Sequence, residues 1–411
     1  MSEGTDVELY RANHPAAFWR LQGEPSPTAV DWRDAVRLAV PVLPPAAQPP
    51  DGDLERALYN TLGEGQFGSS HWQLDALKRA YYLAKPMLPK RFCRNLRRLS
   101  RGSSERSFGL GWPIEDRYAR FQWEVARAVL ERMGRRAASH IHFWPYGHAY
   151  AFAITHDVET AEGQSFVRAV ADLDAMYGFR SSFNFVPEGY PLDWKLIDDL
   201  QRRGFEVGVH GLTHDGNGFG SYREFMRRAE RINRYVTELG AVGFRAPLTH
   251  RHPGWMQALD IEYDCTFFDT DPYEPIAGGT MSIWPFMIGR FVELPYTLVQ
   301  DHTLIEVLKE RTPAIWLGKL PFLRRYHGLA LVGTHPDYLR DSTTWQVYAD
   351  FLRAMRERGD FWHALPKEVA RWWRARATAG SLTELAGGVI RTIGAPAMPE
   401  LAATAPAAQA G

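Results

Sequence analysis

The chain has 411 residues, 45% of them hydrophobic and 23% charged, so it can bury a large core without covalent or metal staples. Lys plus Arg and Asp plus Glu both number 48, so the overall charge does not favour nucleic acid, and we expect no nucleic-acid partner. The two cysteines, Cys93 and Cys265, follow no metal-ligand or redox spacing, which fits a reducing compartment.

The sequence carries no recognisable export or membrane signal. The first residues, MSEGTDVELY, have acidic side chains where a secretory signal has basic ones, and no apolar stretch follows them. No segment approaches the roughly 18 consecutive apolar residues that a membrane-spanning helix requires. We therefore expect a cytoplasmic protein without a transmembrane segment.

Residues 1–145 are predicted to form a mainly helical region with proline-rich interruptions. Phe121, Val125 and Val129 recur at helical spacing, which predicts a helix with one buried face. This region precedes the part of the chain that carries the candidate chemistry.

Residues 90–101 carry six basic side chains on more than one helix face. A solvated helix is the ordinary interpretation of such a segment. The alternative is a peripheral contact with an anionic partner, such as the membrane surface or an anionic glycan precursor. Both interpretations stay open.

Residues 146–375 alternate short apolar runs with amphipathic segments, a pattern typical of strands joined by helices. The strand candidates are AYAFAIT, SSFNFVP, FEVGVH, VGFRAP and LALVGTH. This layout predicts an α/β fold resembling a (β/α) barrel. In residues 376–411 the composition falls to Ala, Gly, Pro and Thr, so we expect a disordered tail that can be removed without loss of stability.

Four of the strand candidates lead directly into polar residues, in the motifs THDVE, HGLTH, RAP and THPD. Loops after the carboxyl ends of strands carry the active sites of barrel enzymes. Asp157 and Glu159 are two residues apart, so they can share one face of a strand. His210 and His214 are four apart, a spacing that brings two imidazoles to one metal ion if the segment turns. Two histidines and one carboxylate leave a coordination position open, as in catalytic zinc sites.

In their order along the chain, THDVE, HGLTH, FRAP and GTHPD resemble the motifs of the polysaccharide deacetylases, carbohydrate esterase family four, also called the NodB homology domain. The resemblance spans about residues 148–365. It implies a distorted (β/α) barrel, here with a helical N-terminal extension. It also implies metal-dependent removal of an N-acetyl group from a sugar, oligosaccharide or glycan precursor, with zinc as the expected ion.

The resemblance assigns roles to individual motif residues. It implies that Asp157 is a base, that His335 is an acid, and that Arg245 orients the base. The implied metal ligands are Glu159, His210 and His214.

The first motif departs from the usual T-F-D-D-G, because Val158 separates the two carboxylates and His156 replaces the phenylalanine. We assign the base to Asp157 and the metal ligand to Glu159, and the reverse assignment stays open. His156 is expected behind the site or in the core, with entry into the site as the alternative.

The sequence also suggests a carboxylate partner for His335 and aromatic residues that contact the substrate. An acid role for His335 requires a carboxylate neighbour, for which Asp269 and Asp271 are the candidates. Aromatic rings in loops stack on sugar faces, and we choose Trp284 and Tyr190 as substrate contacts. Two other functions stay open: hydrolysis of a small non-sugar amide at the same metal site, and an inactive carbohydrate-binding relative, which the valine in the first motif favours.

Overall fold

A computed structural model describes residues 3–73 and 108–394 of the chain. Its strands are β1 (Leu21–Gln22), β2 (Ala137–Ile141), β3 (Ala151–Val158), β4 (Ser182–Phe185), β5 (Glu206–Val209), β6 (Gly243–Phe244), β7 (Tyr263–Asp264), β8 (Phe286–Ile288), β9 (Phe291–Glu293), β10 (Leu329–Thr334), β11 (Trp362–His363) and β12 (Ile390–Gly394). Its α-helices are Glu3–Glu8, Pro15–Trp19, Ala29–Ala39, Leu54–Leu62, Arg117–Arg132, Ala161–Met176, Trp194–Arg202, Tyr222–Glu238, Pro253–Met256, Ala314–Arg325, Pro336–Leu339, Ser342–Arg358 and Pro366–Thr378. A π-helical turn spans His302–Val307.

Strands β3 to β11 form one sheet, in the order β10-β3-β4-β5-β6-β7-β9-β8, with β11 also beside β3. The neighbouring pairs are parallel except β8 with β9. Leu298, in the segment that follows β9, forms a parallel bridge with Val332 of β10. The Leu298 N–H donates to the Leu331 carbonyl at 3.0 Å. This bridge joins the two ends of the parallel sheet. The fold is therefore a distorted (β/α) barrel, and the predicted fold class is confirmed.

The barrel strands are buried on both faces, because one face points into the barrel and the other packs against helices. The helices after β3 and before β6 begin at side-chain caps. Thr160 Oγ1 accepts from Gly163 N at 3.1 Å, and Ser221 Oγ accepts from Glu224 N at 3.2 Å. These caps fix the end of each loop, so the polar residues that follow the strands are held above the barrel rim.

The region before the barrel is mainly helical. The helix Ala29–Ala39 packs against the helix Arg117–Arg132. On the second helix Phe121, Val125 and Val129 are buried, as their spacing predicts. The region ends in β2, which pairs antiparallel with β1 and with β12.

The structure differs from the expectation of a disordered tail for residues 376–394. The strand β12 pairs with β2 along its whole length, and the His142 N–H donates to the Val389 carbonyl at 2.8 Å. Leu385 is buried. The side chains of β12 are largely exposed, so main-chain hydrogen bonds hold the strand. For the same reason its sequence carries no apolar pattern that would predict a strand. The rest of the predicted tail, residues 395–411, lies outside the described residues.

Two other predictions from the sequence concern membranes. None of the helices within residues 3–73 and 108–394 combines the length and the apolar character needed to cross a bilayer. The basic segment 90–101 lies outside the described residues.

Candidate active site

The motif residues meet at one rim of the barrel. Asp157 is the penultimate residue of β3, His210 follows β5, Arg245 follows β6 and His335 follows β10. All four strands are parallel, so their carboxyl ends lie at the same rim. Glu159 follows β3 directly and points into the same space, because its carboxylate lies 3.6 Å from His335 Nε2. The structure thus brings together residues that are up to 178 positions apart in the chain.

Glu159, His210 and His214 form a set of potential metal ligands. Glu159 Oε1 lies 3.0 Å from His214 Nε2 and 4.0 Å from His210 Nε2. One ligand atom from each of the three residues lies within 4.8 Å of the other two. Two imidazole nitrogens and one carboxylate oxygen are the donors of many catalytic zinc sites, and they leave room for water or substrate. The donor set therefore fits a divalent ion of the zinc type.

The protonation states of these ligands also fit a metal ion. Burial, together with the neighbouring His214, lowers the pKa of His210 to about 4, so its imidazole is neutral at neutral pH. His210 Nδ1 lies 3.1 Å from the Arg245 carbonyl, which leaves Nε2 as the nitrogen that faces Glu159. Burial opposes ionisation of Glu159, but the adjacent histidines outweigh it and hold the pKa of this carboxyl below its ordinary value.

Asp157 is a buried carboxylate with two fixed partners. Arg245 Nε lies 2.6 Å from Asp157 Oδ2, and Asn184 Nδ2 donates to Asp157 Oδ1 at 3.0 Å. The arginine is itself held, because its Nη1 donates to the Cys265 carbonyl at 3.0 Å and its guanidinium lies over the Tyr296 ring. Burial raises the pKa of Asp157, but the positive charge of Arg245, the neighbouring histidines and the Asn184 hydrogen bond together outweigh burial, and the net shift is downward. The carboxylate is therefore ionised and held in one orientation.

His335 is held by one carboxylate at two points. Asp301 Oδ1 lies 2.6 Å from His335 Nδ1, and Asp301 Oδ2 accepts from the His335 main-chain N–H at 2.8 Å. His335 Nε2 is then directed at the site, 3.6 Å from Glu159 Oε1 and 3.9 Å from Asp157 Oδ2. Burial disfavours the charged imidazole, but the Asp301 carboxylate outweighs burial and raises the pKa of His335 to about 10.

The site is open on one side. The Glu159 and His214 side chains are 22% and 23% exposed, whereas those of Asp157 and His210 are 2% exposed. The set of potential ligands is therefore accessible to solvent from the side of Glu159 and His214, whereas Asp157 is buried.

The two aromatic residues that the sequence suggests as substrate contacts differ in their positions. Tyr190 lies beside the first motif, where its hydroxyl donates to the Val158 carbonyl between the two carboxylates. Trp284 is buried among Phe18, Phe143 and Trp123, and its Nε1 donates to a main-chain carbonyl at 3.0 Å. An indole that is 1% exposed offers no face to a sugar, which removes Trp284 from the candidate substrate contacts.

The carboxylate that pairs with His335 is neither of the two that the sequence suggests. Asp269 instead forms a buried ion pair with Lys319 at 2.6 Å, and Asp271 accepts from the main-chain N–H of Tyr273. Asp301, which does pair with His335, follows the apolar run YTLV in the sequence YTLVQD. This run leads into polar residues, as the strands with motifs do, and this pattern could have indicated Asp301 as a site residue.

Asn184 is a second site residue that motif reasoning missed. It lies on β4 in register with Asp157 on β3. The signal was a polar residue in the middle of the apolar strand candidate SSFNFVP. A buried amide in a strand needs a hydrogen-bond partner, and the neighbouring parallel strand supplies one.

No protein-family model and no curated protein sequence matches the chain. Among solved structures, it is similar to a Mycobacterium smegmatis protein assigned as a polysaccharide deacetylase, with 19% identity, a TM-score of 0.47, and coverage of 57% of this chain and 93% of that one. It is similar to the Puue allantoinase, with 13% identity, a TM-score of 0.46, and coverage of 56% and 92%. It is also similar to a pseudoenzyme of carbohydrate esterase family four from Bacillus anthracis, with 15% identity, a TM-score of 0.33, and coverage of 54% and 65%.

Proposed function

We propose that the chain is a metal-dependent hydrolase of the polysaccharide deacetylase type, which removes an N-acetyl group from a sugar, an oligosaccharide or a glycan precursor. One observation carries the proposal. A ligand set of two histidines and a carboxylate lies beside a carboxylate fixed by Arg245 and a histidine fixed by Asp301. Hydrolysis of an amide requires an activated water, a polarised carbonyl and a proton for the leaving nitrogen, and this group of residues meets each need.

Glu159, His210 and His214 are the residues that would hold the metal ion, and zinc is the ion that their donor atoms favour. When bound there, a zinc ion polarises the acyl oxygen and lowers the pKa of a coordinated water. The neutral state of His210 and the ionised state of Glu159 are the states in which both residues bind metal.

Asp157 is proposed as the general base. Its pKa lies below the ordinary value, so it is ionised and able to accept a proton from the attacking water. Arg245 and Asn184 hold both carboxylate oxygens, which restricts the carboxylate to one orientation. The geometry favours Glu159 as the ligand over the reverse assignment, because Glu159 lies beside the two histidines while Asp157 is engaged by the arginine.

His335 is proposed as the general acid. Its imidazole is protonated at neutral pH, and its Nε2 faces the site. As the carbon–nitrogen bond breaks, the leaving nitrogen takes the Nε2 proton, and the water oxygen remains on the acyl carbon. The products are acetic acid and the free amine, and transfer of the acid proton to the amine gives acetate and the ammonium ion. The proton that Asp157 took from water restores the imidazolium after release.

The experiment measures bound metal and acetate release from N-acetylated oligosaccharides together. We expect the wild-type chain to bind metal with a stoichiometry near one and to release acetate. His210→Ala with His214→Ala is expected to abolish metal binding and turnover, while the matched control His148→Ala, outside the site, keeps both. Full metal and activity in the double variant would contradict the proposal.

The same experiment distinguishes the other functions. Hydrolysis of linear or cyclic amides without acetate release from sugars would indicate a small-amide hydrolase. Metal binding without turnover on any amide would indicate an inactive relative. A cytoplasmic location and a contact of residues 90–101 with an anionic partner stay predictions from the sequence.

A further inference from the structure

His156 lies directly behind the proposed base and faces away from the reaction. Successive side chains of a strand point to opposite faces, so Asp157 points into the barrel rim and His156 points outward between β3 and the helices. His156 is fully buried, and its ring lies against the ring of Phe183 with centroids 4.6 Å apart. The mechanism proposed above does not use this histidine.

Both ring nitrogens of His156 have fixed partners. Nε2 lies 2.9 Å from Asp174 Oδ2, on the helix Ala161–Met176, and Nδ1 lies 2.7 Å from Thr334 Oγ1, on β10. A carboxylate only accepts hydrogen bonds, so Nε2–H donates to Asp174 and Nδ1 accepts from the threonine hydroxyl when the ring is neutral. The three side chains form one chain of hydrogen bonds, which we call the Asp174–His156–Thr334 chain.

Asp174 is anchored by two further donors. Ser181 Oγ donates to Oδ2 at 2.6 Å, and Tyr348 Oη donates to Oδ1 at 2.7 Å. All these polar atoms lie in a fully buried position. Burying a carboxylate and an imidazole costs free energy unless both are hydrogen-bonded. Here each polar atom of the two side chains has a partner, so the hydrogen bonds offset this cost.

The chain of hydrogen bonds joins two strands at the point where each carries a reacting group. His156 and Thr334 are paired in the register of β3 and β10. The residue after His156 is Asp157, and the residue after Thr334 is His335. The two reacting groups lie close together, with His335 Nε2 3.9 Å from Asp157 Oδ2.

We propose that the Asp174–His156–Thr334 chain positions the base and the acid relative to each other, with His156 as a positioning residue behind the site. The proposal rests on the proposed function for its catalytic consequence. The geometric part concerns only the relation of the two strand ends, so it is tested separately.

The variant Thr334→Val removes the hydroxyl from the chain and keeps the shape of the side chain. Tyr348→Phe is the matched control, because it removes a hydroxyl that donates to the same Asp174 and keeps the ring that lies 5.9 Å from the His156 ring. We expect similar losses of melting temperature in both variants. Thr334→Val is expected to lower kcat by about 10–10²-fold at unchanged KM and metal content, as a misplaced reacting group does, and Tyr348→Phe to keep kcat within about twofold.

A second measurement does not depend on turnover. In the protein labelled with ¹⁵N-histidine, the Nδ1–H proton between His335 and Asp301 is expected to give a downfield signal, which its loss in His335→Ala would assign. Thr334→Val is expected to shift or broaden this signal, and Tyr348→Phe to leave it unchanged. Equal signals in the two variants, or equal kcat values, would overturn the inference. If the wild type hydrolyses no amide, the proposed function fails, while the comparison of signals still decides whether the strand ends are positioned by this chain.

Discussion

At the scale of single residues, the Asp301 carboxylate determines what His335 can do. It accepts from the main-chain N–H of His335 with one oxygen and contacts Nδ1 of the ring with the other. The ring therefore cannot rotate without losing the carboxylate, and Nε2 stays directed at the site. The negative charge favours the protonated ring. One carboxylate thus sets both the orientation and the charge of the proposed acid.

His335→Ala is expected to reduce turnover by about 10²–10⁴-fold, the usual range for loss of a general acid or base, and to leave the bound metal unchanged. The measurement is acetate release with metal content on the same sample. His363→Ala is the matched control, because His363 also ends a barrel strand and is held by a main-chain carbonyl, at 3.2 Å. The acid role is wrong if both variants keep similar turnover.

A second prediction at this scale concerns Glu206, at the start of β5. Its carboxylate accepts from the Tyr263 hydroxyl at 3.0 Å and from the Lys367 main-chain N–H at 3.1 Å. Burial raises the pKa of Glu206 from 4.5 to about 7. The folded state then holds the proton more tightly than the unfolded state. The resulting stabilisation is fully present below pH 4.5 and is lost as the pH rises through about 7.

Glu206→Gln is expected to remove this dependence on pH. Between pH 5 and pH 8, the free energy of unfolding of the wild type should fall relative to that of the variant by on the order of 1–3 kcal/mol. Urea unfolding at several pH values measures the difference. Glu230→Gln, at an exposed position of the helix Tyr222–Glu238, is the control and should follow the wild type. Parallel curves for Glu206→Gln and the wild type would contradict the prediction.

The site residues that the sequence predicts are those next to the ends of strands with long apolar runs. Asp157 and His210 belong to this class, because a local pattern defines both the strand and its end. The pairing of Asp301 with His335 cannot be predicted from a local sequence pattern, because it depends on closure of the barrel at the bridge between Leu298 and Val332. The burial of Trp284 also escapes it, because rings from the N-terminal region cover the indole.

At the scale of elements, the sequence predicts the strands whose apolar runs lead into polar motifs, including the two-residue β6, and misses the other short strands. The five strand candidates coincide with β3, β4, β5, β6 and β10. Strands β7, β9 and β11 have two or three residues each and lie outside the five candidate runs, and they form because neighbouring strands offer hydrogen-bonding partners. Strand β12 carries no apolar alternation and forms through its pairing with β2.

Truncation tests the contribution of β12. A chain that ends at Gly380 loses β12 and the buried Leu385, whose burial alone contributes about 1.5–3 kcal/mol. A chain that ends at Gly394 keeps both and is the control. We expect the shorter chain to melt several degrees below the control, as measured by calorimetry. Equal melting temperatures would mean that β12 adds no stability, as the composition of the tail had suggested.

At the scale of the whole molecule, the N-terminal region is joined to the barrel by a buried ion pair. Arg251 donates to both carboxylate oxygens of Glu64, through Nε at 2.6 Å and Nη2 at 2.5 Å. Both side chains are almost fully buried. Arg251 also donates to the Thr249 carbonyl at 2.8 Å. It therefore connects the N-terminal region to the loop that follows Arg245 of the candidate site.

That loop is held in an unfavourable conformation. Leu248 and Thr249 both have positive φ angles, of 57° and 53°, and a β-branched residue rarely adopts such an angle. The hydrogen bond from Arg251 and a second one, from Thr249 Oγ1 to Glu274, hold the loop there. The N-terminal region thus supports the rim of the barrel beside the site, rather than forming a separate appendage.

Glu64→Gln is expected to lower the free energy of unfolding by about 3–5 kcal/mol, because it leaves the Arg251 charge buried without a counter-ion. Glu55→Gln is the matched control: Glu55 pairs with Arg11 on the surface, where both side chains are well exposed, so its loss should cost about 1 kcal/mol or less. The double variant Glu64→Leu/Arg251→Met removes both charges and should be more stable than Glu64→Gln alone, since no unpaired charge remains. Thermal and urea unfolding of the three variants measure this order. If Glu64→Gln unfolds at the same point as Glu55→Gln, the buried ion pair contributes no more to stability than the surface pair does.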